Sequence, residues 1–254
     1  MANRTIKLTI AYDGTDFCGW QKQKNAISIQ SVIEDKLSII TDTPVSLHGA
    51  GRTDAGVHAL AMTAHFLSQA KIPCQALQNG LNSMLPKAIR ITSTSDESAD
   101  FHARYSAKAK TYIYKIYTGT IQPPMERLYT VHVPFKLNLK AMRHCLQTIC
   151  GSHDFSSFEA SGSRDKTKKK GRGAVRTILA ADLLETSSDT YIFKITGDGF
   201  LRHMVRNLVG TILEVGKDSR TTEEFLHILA TKKRSAAGVT APAHGLHLQD
   251  IYYH

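Results

Sequence analysis

The chain has 254 residues, with 32 Lys and Arg against 22 Asp and Glu, which gives a formal net charge of +10. Its composition, 42% hydrophobic and 21% charged, supports a folded core and excludes a disordered chain or a long coiled coil. No apolar run approaches the roughly 20 residues of a membrane span, and the amino terminus lacks the apolar stretch of a signal peptide, so we expect a cytoplasmic protein with no membrane contact.

The first half of the chain alternates between strand and helix patterns. Polar and apolar residues alternate over 5–12, which predicts a strand, and apolar residues from Ile29 to Ile40 recur at helical spacing behind Ser28, a suitable N-cap. The other predicted elements of this half are a short strand at 45–48, a strand at 59–66, a helix at 73–85 that ends before Pro86, and a strand at 89–93.

The second half repeats this order of patterns. A strand is predicted at 111–118, and an apolar helix at 200–215 carries Arg202, His203 and Arg206. Thr221 and Glu224 form a capping box for a last helix that ends at 230. The other predicted elements are a helix at 139–149 and strands at 175–185, 191–196 and 246–252.

The repeated order of strands and helices predicts an α+β fold made of two similar domains. We expect each domain to be an antiparallel or mixed sheet with helices on one face. The predicted boundaries are 1–104 for the first domain and 105–254 for the second.

The positive charge lies almost entirely in the second half. Ten basic and nine acidic residues precede position 106, and 22 basic and 13 acidic residues follow. The segment 164–176 alone has seven cations against Asp165, within a predicted basic loop at 161–176. Charge of this density attracts polyanions by releasing their counterions, so we hypothesise that this loop binds a nucleic-acid backbone without reading its sequence.

A glycine-rich segment, GAGRTDAGVHA at 49–59, is the strongest candidate for chemistry. Its spacing fails both phosphate-binding patterns, because Asp54 stands where G-x-G-x-x-G needs its third glycine and Val57-His58 replace the Lys-Ser/Thr of a P-loop. Two readings of Asp54 stay open on the residues alone. It either caps a turn or pairs with Arg52 on the surface, or it is a nucleophile or base kept ionised by a nearby guanidinium.

The sequence of this segment resembles the signature of the TruA family of tRNA pseudouridine synthases. Further blocks that resemble the family follow in the expected order along the chain. They are YDGTDFCGWQ at 12–21, LNSMLP at 81–86, FHARYSA at 101–107, KTYIY at 110–114, GFLRHMVR at 199–206 and GLHL at 245–248.

The resemblance implies roles for individual residues. Asp54 matches the family's catalytic nucleophile, Arg206 the arginine that pairs with this carboxylate, and Tyr112 the tyrosine that stacks on the target uracil and helps to remove its C5 proton. Arg52 resembles an arginine that helps to extract the target nucleotide. Tyr114 and Tyr117 are interpreted as core aromatics. Arg104, Lys108 and Lys110, which lie just before Tyr112, are either candidates for phosphate contacts or ordinary solvated surface.

The resemblance also implies a substrate and an assembly. The expected substrate is the anticodon stem-loop of tRNA, in which uridine becomes pseudouridine at positions 38, 39 and 40. Members of the family act as homodimers and place the active-site cleft between their two domains. Because the isomerisation involves no net redox change, we expect no cofactor.

Other functions are disfavoured by the residues present. The four cysteines do not form a zinc-binding pattern, and the histidines lack the spacing of a metal site on a helix, so we expect no metal. An aspartate-dependent hydrolase would need a second placed carboxylate or a metal. The alternative from another class is a noncatalytic RNA-binding module of the same fold.

Overall fold

The computed structural model describes residues 4–162 and 172–254. Most of the predicted basic loop, including its four lysines, lies outside the described residues. The described residues form five α-helices and ten β-strands in two compact units, Met1–Lys108 with His247–His254, and Ala109–Leu246. The predicted α+β class with two similar domains is confirmed.

The first unit is a mixed sheet with two helices. Its elements are β1 (Arg4–Tyr12), α1 (Ile29–Thr41), β2 (His48–Gly49), β3 (His58–Ser68), α2 (Cys74–Met84), β4 (Ile89–Glu97) and β10 (Leu246–Tyr252). The strand β1 pairs antiparallel with both β3 and β4, whereas β10 pairs parallel with β3. The short strand β2 also pairs with β3.

The core of this unit follows from the two periodicities of the sequence. Ile6, Leu8 and Ile10 alternate along β1 and are buried, because successive side chains of a strand point to opposite faces. Helix α1 buries Ile29, Ile33 and Leu37 at helical spacing. Ser28 caps α1 as predicted, with its hydroxyl accepting from the backbone N–H of Ser31.

The second unit has an antiparallel sheet and three helices. Its elements are β5 (Ala109–Tyr117), β6 (Val131–His132), α3 (Leu139–Thr148), β7 (Gly151–Asp154), β8 (Val175–Ser187), β9 (Thr190–Gly197), α4 (Met204–Gly216) and α5 (Thr222–Thr231). Strand β9 lies between β5 and β8, and β7 pairs with the other edge of β8. Strand β6 forms a short parallel pairing with β5.

Two predicted elements differ clearly from the observed ones, and two observed strands were not predicted. The strand predicted at 45–48 is reduced to β2, because only His48 and Gly49 pair with β3. The helix predicted from 200 begins at Met204, since His203 has a left-handed backbone with φ of 61° and the half-buried Phe200 and buried Leu201 belong to the preceding loop. The short strands β6 and β7 were not predicted.

The division into units also differs from the predicted boundaries. It falls after Lys108, four residues beyond the expected position, and the closing strand belongs to the first unit instead of the second. The reason is the parallel pairing in which His247 and Leu248 lie opposite His58 and Ala59. No described helix is long and apolar enough to cross a membrane.

Candidate active site

The glycine-rich segment forms the connection between β2 and β3. Within it Asp54 is half-buried and Arg52 is exposed. A turn closes where the N–H of Val57 donates to the carbonyl of Asp54 at 3.2 Å, and Gly56 adopts a positive φ of 74°. The N–H of Ala50 donates to Thr63 on β3 at 2.8 Å. The loop is therefore tied at both ends to ordered backbone.

The YDGTDFCGWQ motif is the structural support of this loop. The hydroxyl groups of Tyr12 and Thr53 share a buried hydrogen bond of 2.8 Å. The N–H of Trp20 donates to the carbonyl of Thr53 at 3.1 Å. Thr53, which directly precedes Asp54, is thus held through both its side chain and its backbone.

Two glycines of the same motif allow its backbone to approach the loop. A Cβ on Gly14 would lie 2.0 Å from the carbonyl oxygen of Val57, and one on Gly19 would lie 2.6 Å from that of Thr53. Gly19 also has a φ of 97°, which favours glycine. Side chains at these positions would push the two segments apart and move the turn that carries Asp54.

His58, directly after the Asp54–Val57 turn, holds this turn against the YDGTDFCGWQ motif. The imidazole is 2% exposed, accepts from the N–H of Gly14 at Nδ1 over 3.1 Å and stacks on His247 at 4.8 Å between ring centroids. The same Nδ1 lies 3.1 Å from an Oδ1 of Asp13. An Nδ1 that carries a proton would pair with Asp13 and could no longer accept from Gly14.

Tyr112 lies in the second unit, on the central part of β5 opposite Ile195 of β9. The side chain is 8% exposed, and Phe200 meets its ring edge-to-face at a centroid distance of 5.1 Å. Tyr114 follows on the same face of the strand because side chains alternate along it. Lys110 precedes Tyr112 on that face and is half-buried.

Arg206 lies in the first turn of α4 and is half-buried. Its Nε donates to the carbonyl of Ala241 at 2.8 Å, and the N–H of Ala241 donates back to the carbonyl of Arg206 at 3.1 Å. The guanidinium plane is therefore oriented by backbone on a separate segment of the chain.

Tyr114 connects Arg206 with the strand that carries Tyr112. Its hydroxyl donates to the carbonyl of Pro242, the residue after Ala241, at 2.8 Å. Burial raises the pKa of Tyr114, and the positive charge of Arg206 opposes this rise. The fully buried Tyr114, on the same strand as Tyr112, thus lies near enough to Arg206 for the guanidinium charge to act on it.

A polar network holds the segment 237–242 against α4. Arg234 donates to Asn207 at 3.2 Å and to the carbonyl groups of Ala237 and Gly238. The buried hydroxyl of Thr211 accepts from the N–H of Gly238 at 3.0 Å. These contacts fix the backbone on which Arg206 depends. Local sequence patterns do not reveal this network, because its hydrogen bonds to α4 join residues 27 positions apart.

The candidate residues divide between the two units. Asp54, Arg52 and Arg104 lie in the first unit, and both arginines are exposed. Tyr112, Arg206 and Lys110 lie in the second. Of the basic segment, Arg172 is described and forms an ion pair with Asp198.

Within 4–162 and 172–254 no set of three or more His, Cys, Asp or Glu side chains is arranged to hold a metal ion. All four cysteines are free thiols.

The chain is similar to known proteins over most of its length. The sequence matches the tRNA pseudouridine synthase family over residues 8–106 and 146–254. It is 53% identical to tRNA pseudouridine synthase A 1 of Desulfotalea psychrophila, over 98% of this chain and 100% of that protein. It is 44% identical to tRNA pseudouridine synthase A of Acetivibrio thermocellus, with the same two coverages.

Among solved structures, a chain of a Cbf5–Nop10–Gar1 complex aligns with 96% of this chain and 48% of its own length. The identity is 10% and the TM-score is 0.38.

Proposed function

The chain belongs to the tRNA pseudouridine synthase family, and we propose that Asp54, Arg206 and Tyr112 perform its chemistry. The activity of the family is the isomerisation of uridine to pseudouridine in tRNA. In this reaction the N1–C1′ glycosidic bond breaks, the uracil ring rotates, and C5 bonds to C1′. C5 loses its proton and N1, released from the ribose, gains one. The number of atoms and electrons in the nucleoside is unchanged.

Asp54 is the proposed nucleophile. The observation that carries this role is the construction of its loop, in which Tyr12, Trp20 and Gly14 hold the residues on both sides of Asp54. A carboxylate on an anchored turn keeps its direction while it attacks, which lowers the entropic part of the barrier. Addition to C6 of the base and capture of C1′ of the ribose both fit a carboxylate in this role.

Arg206 is the proposed ion-pair partner of Asp54. A guanidinium stays charged at all physiological pH values and presents its donors in a fixed plane. Its Nε is already used by Ala241, so the orientation of the guanidinium is set before substrate binds. Such an arginine favours the ionised form of a neighbouring carboxylate.

Tyr112 is the proposed stacking partner and the residue that assists removal of the C5 proton. Extracting a base from its stack costs a few kcal/mol, and stacking on an aromatic side chain returns about 1–3 kcal/mol. The low exposure of Tyr112 suits a ring that meets the base only after the base has left the RNA stack. We assign Arg52 to extraction of the nucleotide and Arg104 and Lys110 to phosphate contacts.

We further propose that the substrate is the anticodon stem-loop at positions 38, 39 and 40, and that the enzyme acts as a cytoplasmic homodimer. These assignments rest on the family resemblance. Sequencing of pseudouridine in tRNA transcripts with single uridines at these positions tests the first, and sedimentation of the purified chain tests the second.

The catalytic assignment is tested by tritium release from tRNA labelled at uridine C5. We expect Asp54→Asn to reduce release to background, whereas the matched control Asp16→Asn, which changes an exposed carboxylate of the supporting motif, stays within about twofold of wild type. Equal release by Asp54→Asn would refute the role of Asp54. Binding of tRNA without release by the wild-type chain would favour the noncatalytic module.

A further inference from the structure

The segment 101–108 of the first unit is held rigidly by hydrogen bonds. His102 exchanges bonds with Ser106, because the N–H of each residue donates to an oxygen of the other. The carbonyl of Ala103 accepts from the hydroxyl of Tyr253 at 2.8 Å, and the N–H of Lys108 donates to Tyr252 at 2.8 Å. A segment fixed in this way presents its outer side chains without further loss of backbone entropy on binding.

Three histidines form the support beneath this segment. His65 contacts His48 and His102 at ring-centroid distances of 5.2 and 4.6 Å. Its Nδ1 accepts from the N–H of Ala103, and the Nδ1 of His102 accepts from those of Arg104 and Tyr105. Burial is the main cause of a lowered pKa for both His65 and His102, so both rings are neutral at pH 7.

Tyr105 forms the outer end of this aromatic array. Its ring lies 4.2 Å from that of His102 and is tilted by 33°, yet the side chain is 78% exposed. The exposed cations Arg104 and Lys108 lie on either side of it in the sequence, and the segment 101–108 contains no acidic residue. An exposed, supported ring with flanking cations has the chemistry of a base-stacking surface on single-stranded nucleic acid.

We propose that Tyr105 stacks on an unpaired nucleobase of the tRNA substrate, outside the base that is isomerised, with Arg104 and Lys108 contacting the adjacent phosphates. This proposal rests on the tRNA substrate assigned above. The partner of Tyr105 is a nucleobase and not an apolar peptide. An apolar peptide would offer no negative charge to Arg104 and Lys108, whereas the phosphates next to a base would. Stacking requires the ring of Tyr105 but not its hydroxyl.

The test is equilibrium binding of an unmodified tRNA transcript at several salt concentrations. All variants carry Asp54→Asn, so the tRNA is not turned over, and tritium release from chains without that change reports separately on the proposed chemistry. We expect Tyr105→Ala to weaken binding by about 5- to 150-fold with an unchanged salt slope, and Tyr105→Phe to bind within about twofold. Arg104→Gln should weaken binding and also reduce the slope by about 0.7 to 0.9.

The matched control is Phe135→Ala, which removes an exposed aromatic ring of the second unit and should leave tRNA affinity unchanged. Thermal unfolding of each variant shows whether it is folded. Binding of Tyr105→Ala within twofold of the parent, or an equal loss in Tyr105→Phe, would overturn the proposal. A change of oligomeric state in Tyr105→Ala would also overturn it, since Tyr105 would then lie at an interface between two copies of the chain.

Discussion

Arg206 and Ala241 bind each other through two hydrogen bonds, from Nε of the arginine to the alanine carbonyl and from the alanine N–H to the arginine carbonyl, at 2.8 and 3.1 Å. One bond positions the side chain and the other joins the first turn of α4 to a distant segment. The orientation of the proposed ion-pair partner thus depends on backbone that is far away in sequence.

The first prediction concerns Arg206→Lys. Lysine keeps the positive charge but has neither the Nε donor nor the planar fork of a guanidinium. We expect the single-turnover rate of tritium release to fall by about 10- to 100-fold, because a hydrogen bond of a charged group contributes about 1.5–3 kcal/mol. Arg202→Lys, an exposed arginine of the same motif, serves as the control and should keep the rate. A wild-type rate in Arg206→Lys would show that charge alone is sufficient.

The second prediction concerns the network that holds Ala241. Thr211→Val removes the hydroxyl that accepts from the N–H of Gly238 and leaves that buried donor unpaired. We expect the free energy of unfolding in urea to fall by about 1–3 kcal/mol, and the rate of tritium release to fall as the segment moves. Thr211→Ser retains the acceptor and should preserve both. If the valine variant lost stability but kept its rate, the network would not position Arg206.

The elements with local signals were predictable from the sequence. The caps of α1 and α5 were found because Ser28, Thr221 and Glu224 act within their own first turns. The placement of β10 in the first unit was not found, because its parallel pairing with β3 joins residues 189 positions apart, His58 and His247. Local patterns carry no information on such a pairing.

In the candidate site, too, features with a local sequence signal were predictable and contacts between distant residues were not. Asp54 could be singled out because its loop has a distinctive composition and resembles a known signature. Its supports at Tyr12 and Gly14 were part of a recognised motif, but their contacts with Thr53 and Val57 became visible only in the fold. The start of α4 was predicted too early, because two apolar residues of the preceding loop extend the helical pattern. Phe200 packs against Tyr112 and Leu201 is buried, but neither continues the helix.

The third prediction concerns the close approach at Gly14. A Cβ there would lie 2.0 Å from the carbonyl oxygen of Val57, so Gly14→Ala must displace one of the two backbones. We expect a loss of about 1–3 kcal/mol in the free energy of unfolding and a reduced rate of tritium release. Gly162→Ala is the control, since its φ of 67° is unfavourable for alanine but its Cβ would meet nothing within 4 Å. That variant should lose some stability and keep its rate, and an unimpaired rate in Gly14→Ala would argue against a rigid Asp54 turn.

The fourth prediction concerns the basic segment. Replacing Lys166, Lys168, Lys169 and Lys170 by glutamine removes four positive charges. We expect weaker tRNA binding and a flatter salt dependence, by about 0.7 to 0.9 in slope for each phosphate that is no longer neutralised, with little change in the rate at saturating tRNA. The measurement is a binding titration between low and moderate salt. Unchanged affinity and slope at low salt would exclude a role in binding RNA.

The fifth prediction concerns pH and the buried His65. Burial, with help from the charges of His102 and His48, lowers its pKa from 6.5 to about 4. At pH values between these two pKa values, the unfolded chain binds a proton at His65 that the folded chain does not. The contribution of His65 to the free energy of unfolding therefore decreases as pH falls from 6.5 to 4. The slope contributed by one such group is at most about 1.4 kcal/mol per pH unit, and it vanishes above this window.

His65→Asn tests this assignment because asparagine does not titrate but still offers an oxygen to the N–H of Ala103. We expect the pH dependence of the free energy of unfolding between 4 and 6.5 to become shallower, and a smaller dependence to persist from His102, whose pKa is also lowered. His227→Asn, at an exposed position on α5, should leave the wild-type slope intact. A variant His65→Asn with the full wild-type slope would show that other groups cause the acid sensitivity.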